Sequence, residues 1–218
     1  MRLIDELRAE HEVIEKVLGA LRTYAERRAG GDAGPEDAEG FLRFFRLFAG
    51  DYHHAREEES LFPALETHLE LPPDSGPLFS IRDQHHRMAA TLAELGPRLA
   101  GELRTKEDRE SVLDLATRYA HALLLHIDVE NSVLLPESEE RLRRSGVHEL
   151  EGRSPGAEEL AARAEGERLS AVYPPVHDPA ALRGEGCVIC PSYGTTCGGL
   201  EREWWTDDEW EAFENHEG

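Results

Sequence analysis

Apolar positions along the chain fall into four long stripes with helical spacing, each separated from the next by turn-forming residues. Over about 3–28, Leu3, Leu7, Ile14, Leu18, Leu21 and Ala25 recur mostly at intervals of three and four, the spacing that lines one face of an α-helix. A glycine-rich stretch from Gly30 to Pro35 ends this segment. A second segment covers about 36–70 and stops at a run that includes Pro72, Pro73 and Pro77. Pro63 falls inside it, so a kink or break is expected there. A third begins near Leu78, with Leu78, Ile81, Met88, Leu92, Leu95 and Leu99 on its stripe. Gly96 and Pro97 are expected to bend or end it. A fourth covers about 106–144, with Val112, Leu115, Tyr119, Ala122, Val129 and Val133 on one face, and Gly146 closes it.

Four amphipathic helices joined by short loops predict an all-α, up-down-up-down four-helix bundle over residues 1–145. Residues 146–218 form a different region, acidic and rich in Gly and Pro, with little periodicity. It reads as a mostly irregular C-terminal extension, with a linker around 152–156 and a short helical piece over about 157–164. Trp204, Trp205, Trp210 and Phe213 lie near its end. Indole rings are costly to leave in water, so this tail is expected to pack on something.

Composition narrows the function classes. Among 218 residues, 24 Lys and Arg stand against 45 Asp and Glu, a formal net charge of -21. Such an acidic surface argues against a protein that tracks nucleic-acid phosphates. No apolar run approaches the length that crosses a bilayer. The chain opens on charged helical sequence without a signal-peptide pattern, and its three cysteines lie together between 187 and 197, so a cytoplasmic protein is expected. The sequence leaves a homo-oligomer open. Histidine is the abundant reactive residue, with eleven copies.

The histidines expose an internal duplication. His11, His53, Glu57 and Pro63 are followed by His85, His126, Glu130 and Pro136, at offsets of 74, 73, 73 and 73. His53 to Glu57 and His126 to Glu130 are both His-x-x-x-Glu, and in both copies a proline follows ten residues after the histidine. Residues four apart share one helix face, so each pair presents an imidazole beside a carboxylate. His11, His85 and His126 also sit within the apolar stripes. The bundle would therefore aim four imidazoles and two carboxylates into one core. Buried ionised carboxylates are strongly unfavourable without partners. A pair of divalent metals resolves this, each ion taking two imidazoles, with both carboxylates bridging. Imidazole and carboxylate without thiolate suit iron, manganese or zinc. A ferritin-type site needs Glu-x-x-His, and no histidine here has Glu three residues before it. His54 and Glu58 offer the same spacing one residue on; the equal distance to proline favours His53 and Glu57. His54, His86 and His121 are further imidazoles near the cluster.

These motifs resemble the hemerythrin-like (HHE cation-binding) family, over the whole of residues 1–145. The likeness rests on Glu10-His11-Glu12, the stretch from His53 through Pro63, Gln84-His85-His86, and the stretch from His126 through Pro136. The last is closest to the di-iron members that repair iron-sulfur centres or handle nitric oxide. The resemblance implies two iron ions with an oxo or hydroxo bridge. Their ligands would be His11, His53, Glu57, His85, His126 and Glu130, with the two glutamates bridging. It also implies O2 or NO as ligand and an electron donor that the sequence does not identify. Di-iron members commonly carry a fifth histidine. Residues 22–32, where repair-type members have it, hold none, and His54, His86 or His121 could substitute. The expected function is a non-haem di-iron protein that binds or reduces a small diatomic ligand. The alternatives are an iron or oxygen sensor and an iron-donating protein. In the tail, Cys187, Cys190 and Cys197 could hold zinc with His177 or His216 as a fourth ligand, form a redox disulfide, or remain free thiols.

Overall fold

A computed structural model of the chain describes residues 1–176 together with Trp205, Thr206 and Asp208. Helix α1 spans Arg2–Gly30 and ends on Gly31, whose φ of 85° is a left-handed conformation natural to glycine. The second rod is helical from Ala38 to Leu69: α2 (Ala38–Arg43), a π-helical segment (Phe44–His54), a π-turn (Glu57–Leu61) and α3 (Phe62–Leu69). Helix α4 spans Gly76–Ala100. The fourth rod comprises α5 (Lys106–Val129), a π-turn (Glu130–Leu134) and α6 (Leu135–Arg144). Thr105 opens it with a reciprocal capping box to Asp108. Helix α1 packs on α5, α5 on α4, and the Phe44–His54 segment on both α4 and α1, which closes a four-rod ring.

The proline expectations resolve differently at the two sites. Pro63 does not break the second rod, because it lies in the first turn of α3, where its missing N–H is not required. The turn before it is widened instead: the Phe62 N–H donates to the Glu57 carbonyl, five residues back. The fourth rod repeats this, with Leu135 donating to Glu130 just before Pro136. Helix α4 runs through Gly96 and Pro97 and stops only at Ala100. On α5, Ala122 faces solvent, and Leu123 occupies the inner face in its place.

The extension contains more helix than its periodicity suggests. Helix α7 spans Ala157–Val172, two turns beyond the predicted piece. Tertiary contacts account for the added length. Ala162, Leu169 and Tyr173 join the core cluster of α1 and α2. Gly166 lies so close to the Phe44 ring that a Cβ there would stand 2.3 Å from it. The Tyr173 hydroxyl donates to Asp37 at 2.8 Å, and Arg168 donates to the same carboxylate at 2.6 Å. Trp205 is buried against Gly76, whose φ is 61°. Trp204, Trp210 and Phe213 lie outside the described residues.

Buried apolar side chains form two clusters rather than one. The larger holds Ile14, Phe45, Met88 and Ile127 among others, and the smaller holds Leu7, Leu61, Ile81 and Val129. On the first three rods the boundary between them falls at a histidine, and on the fourth it falls just past His126, between Ile127 and Val129. His11 lies between Leu7 and Ile14, His53 between Tyr52 and Leu61, and His85 between Ile81 and Met88.

Candidate metal centre

The layer between the clusters is polar and buried. His11, His53, His85, His126, Glu57 and Glu130 are all buried, and both glutamates are fully so. The two carboxylates span the layer. Glu57 places Oε1 3.6 Å from His53 Nε2 and Oε2 3.4 Å from His85 Nε2. Glu130 places Oε2 3.2 Å from His11 Nε2 and Oε1 3.2 Å from His126 Nε2. Each carboxylate thus turns one oxygen to each of two histidine groups.

Those groups are unequal. His11, His53, Glu57 and Glu130 bring one donor atom each within 4.8 Å of one another, and so do Glu57, His85, His126 and Glu130. A third set within the same limit is His54, His85 and His126. His54 stacks on His85, with ring centroids 3.9 Å apart. His86 and His121 are exposed. His53 and His54 both turn inward because the helix through them is π-helical over Phe44–His54. A wider turn rotates less per residue, so neighbours can share a face that an α-helix would split.

Outer acceptors fix the rings. His53 Nδ1 lies 2.9 Å from Glu10 Oε2, and His126 Nδ1 lies 2.9 Å from Gln84 Oε1. His85 Nδ1 lies 2.6 Å from Glu58 Oε1, and His11 Nδ1 lies 2.9 Å from Asn131 Oδ1. With Nδ1 tied to an acceptor, each Nε2 is left facing inward, which is how metal-ligating imidazoles are oriented. The pattern obeys the duplication. Glu10 and Gln84 precede the first histidine of each copy, and Glu58 and Asn131 follow its inner glutamate. None of the four stands out as a support from helical periodicity alone. Their signal was present in the same repeat, as polar residues flanking the inward ones.

Arg56 departs from the repeat, since Val129 stands at the matching position. It is 1% exposed and donates to Glu10, Glu6 and the Tyr52 hydroxyl, the last at 3.0 Å. Its guanidinium therefore neutralises the carboxylate that holds His53. The chain after α6 covers this group: Gly152 lies against Arg56, and the Leu150 carbonyl accepts from the Leu3 N–H.

The charge distribution in the layer alternates. Burial alone would lower His11, but the Glu130 and Glu57 carboxylates outweigh it and raise its pKa to about 9. His85 follows the same course, also to about 9, through Glu57 and Glu58. Burial and the neighbouring imidazoles push His54 and His126 well below the usual histidine range. In the metal-free layer, protonated His11 and His85 can thus stand beside neutral His54 and His126.

A cation fits this donor set. The Nε2 atoms of His11, His53 and His54 and all four inner carboxylate oxygens are buried without a hydrogen-bond partner. Unsatisfied buried polar atoms are rare in folded proteins, and these converge from three rods. The cysteines Cys187, Cys190 and Cys197, with His177 and His216, lie outside the described residues.

A four-helix bundle whose core is divided by buried imidazoles and carboxylates belongs to the class of helical metal-binding bundles. The description hemerythrin HHE cation binding domain matches residues 2–138, and the chain belongs to that family. No curated protein and no solved structure gives a match. None of the described helices is long and apolar enough to cross a membrane.

Proposed function

We propose that this bundle is a non-haem di-iron centre that binds or reduces O2 or NO. The observation that carries the reading is the set of inward donors without partners, divided by two spanning carboxylates. His11 and His53 would hold one ion and His54, His85 and His126 the other, with Glu57 and Glu130 shared. When bound, the irons supply one-electron chemistry to a small ligand. The chain's own residues do the rest. Glu10, Gln84, Glu58 and Asn131 hold the imidazole planes, and the two apolar clusters pack the layer on either side. Fewer protein donors on the His11 and His53 side leave more coordination positions there for a diatomic ligand.

The test is to mix the chemically reduced, iron-loaded protein with O2 or NO in a stopped-flow spectrometer. The reading expects a saturable spectral change with either gas and no iron release. Iron passing to a chelator or to an apo cluster protein without ligand turnover would favour iron donation instead. A sensor is the second reading, favoured by the contacts that join the extension to the site through Gly152, Arg56, Glu10 and His53. Under that reading, limited proteolysis after α6 depends on metal; under the first it does not.

A further inference from the structure

A cavity of about 570 Å³ lies between α4 on one side and α2 with the Phe44–His54 segment on the other. That volume is in the range of organic-ligand sites and far exceeds a diatomic molecule. Along α4 it extends from His85 to Ala100, fifteen residues or about 22 Å at the α-helical rise. Small residues on α4, Ala89, Ala93 and Gly96, keep the trough open, and Leu42, Phe45 and Met88 give it apolar walls. One end reaches the stacked His54 and His85.

Tyr119 supplies a polar point in this apolar lining. It is 3% exposed, and its ring meets Phe45 edge-on at 5.2 Å. Its hydroxyl makes no hydrogen bond with the described residues, and its oxygen is not among the sealed, unpartnered atoms of the core, so it stays open to the groove. The rim carries Glu39, Asp51 and Arg46, and Arg46 already lies 3.9 Å from Glu39. With a chain charge of -21, this acidic rim disfavours an anion.

We propose that the groove binds an uncharged amphiphile, its aliphatic tail lying along α4 and its single oxygen, a hydroxyl or carbonyl, hydrogen-bonded to Tyr119. The site is built by protein alone, so it goes beyond the di-iron reading and does not depend on it.

The test is isothermal titration of the full chain, iron-loaded and metal-free, with 1-octanol and with octanoate. The expected result is saturable octanol binding in both forms, with octanoate at least about tenfold weaker, because Glu39, Asp51 and the acidic chain repel its carboxylate. Tyr119→Phe weakens octanol about fivefold, the worth of one neutral hydrogen bond. Ala93→Trp, a change on the outer wall, abolishes binding while circular dichroism and the iron spectrum match the parent. Absence of saturable octanol binding would overturn the proposal. So would octanoate binding as tightly as octanol, or both variants binding like the parent. Failure to load iron would count against the di-iron reading alone and leave octanol binding to the metal-free chain as the measure of this one.

Discussion

Two fully buried carboxylates in one layer set the problem that the surrounding side chains solve. Glu57 and Glu130 sit where a bundle core is normally aliphatic, and their oxygens find no hydrogen-bond partners. The outer acceptors should therefore matter for metal rather than for folding. Asn131→Ala and Gln84→Ala free the rings of His11 and His126, and each is expected to weaken metal binding about 10- to 100-fold. Competition against a calibrated chelator measures this, and thermal midpoints of the metal-free variants should stay close to the parent. A second expectation concerns pH. In the metal-free protein His11 and His85 are raised from 6.5 to about 9. A raised pKa means that the charged form stabilises the fold. That stability is complete below 6.5 and is lost as pH rises through 9. Metal must displace the same protons, so uptake near neutrality should release about two protons per chain, and affinity should climb with pH up to about 9. Indicator-dye measurement of proton release checks the count. At this scale the sequence was informative where chemistry repeated. The duplicated His-x-x-x-Glu pairs, with His11 and His85 at the matching repeat offset, pointed at six residues that the fold brings together. His54 was harder to place, because two adjacent histidines cannot both face inward under α-helical periodicity. Arg56 was invisible, because nothing in the repeat corresponds to it.

At the level of elements, the recurrent device is a π-turn placed between an inner glutamate and a proline. In both copies the glutamate carbonyl accepts from the residue just before the proline, five positions on. The widened turn lets the rod pass the proline unbroken while it aims the glutamate inward. Sequence periodicity assumes constant α-helical geometry, so it located the prolines but foresaw a kink or break rather than this adjustment. Helix α7 shows the opposite gap. Its pattern is weakly amphipathic, and its length comes from contacts made by Leu169, Arg168 and Tyr173, which local sequence does not announce. The close approach of Gly166 to Phe44 gives a direct test. Gly166→Leu should force the Phe44 ring aside and cost about 1–3 kcal/mol of stability, as overpacking does, despite the better helix propensity of leucine. Urea denaturation should show the lower midpoint, and hydrogen exchange should show lost protection confined first to α7.

For the whole molecule, the four-rod ring was legible from stripes and breakers, because helix-period patterning and short loops leave few alternative topologies. What patterning could not show is that the core is two apolar clusters held apart by a polar layer. That division makes metal part of the fold's cohesion as well as of its chemistry. A ligand that binds only the folded state stabilises it by mass action, by about 2.7 kcal/mol at a hundredfold excess over Kd. The thermal midpoint should accordingly rise with added ferrous ion under anaerobic conditions and fall again with chelator. Seven buried donors, five imidazoles and two carboxylates, would hold the proposed pair of irons. The decisive measurement is metal analysis combined with an absorption spectrum of the air-oxidised protein. Two irons per chain and near-ultraviolet charge-transfer bands of bridged ferric ions are expected, both lost in Glu57→Ala and Glu130→Ala. A colourless protein that retains no iron after anaerobic loading, or iron content unchanged in both variants, would contradict the di-iron reading.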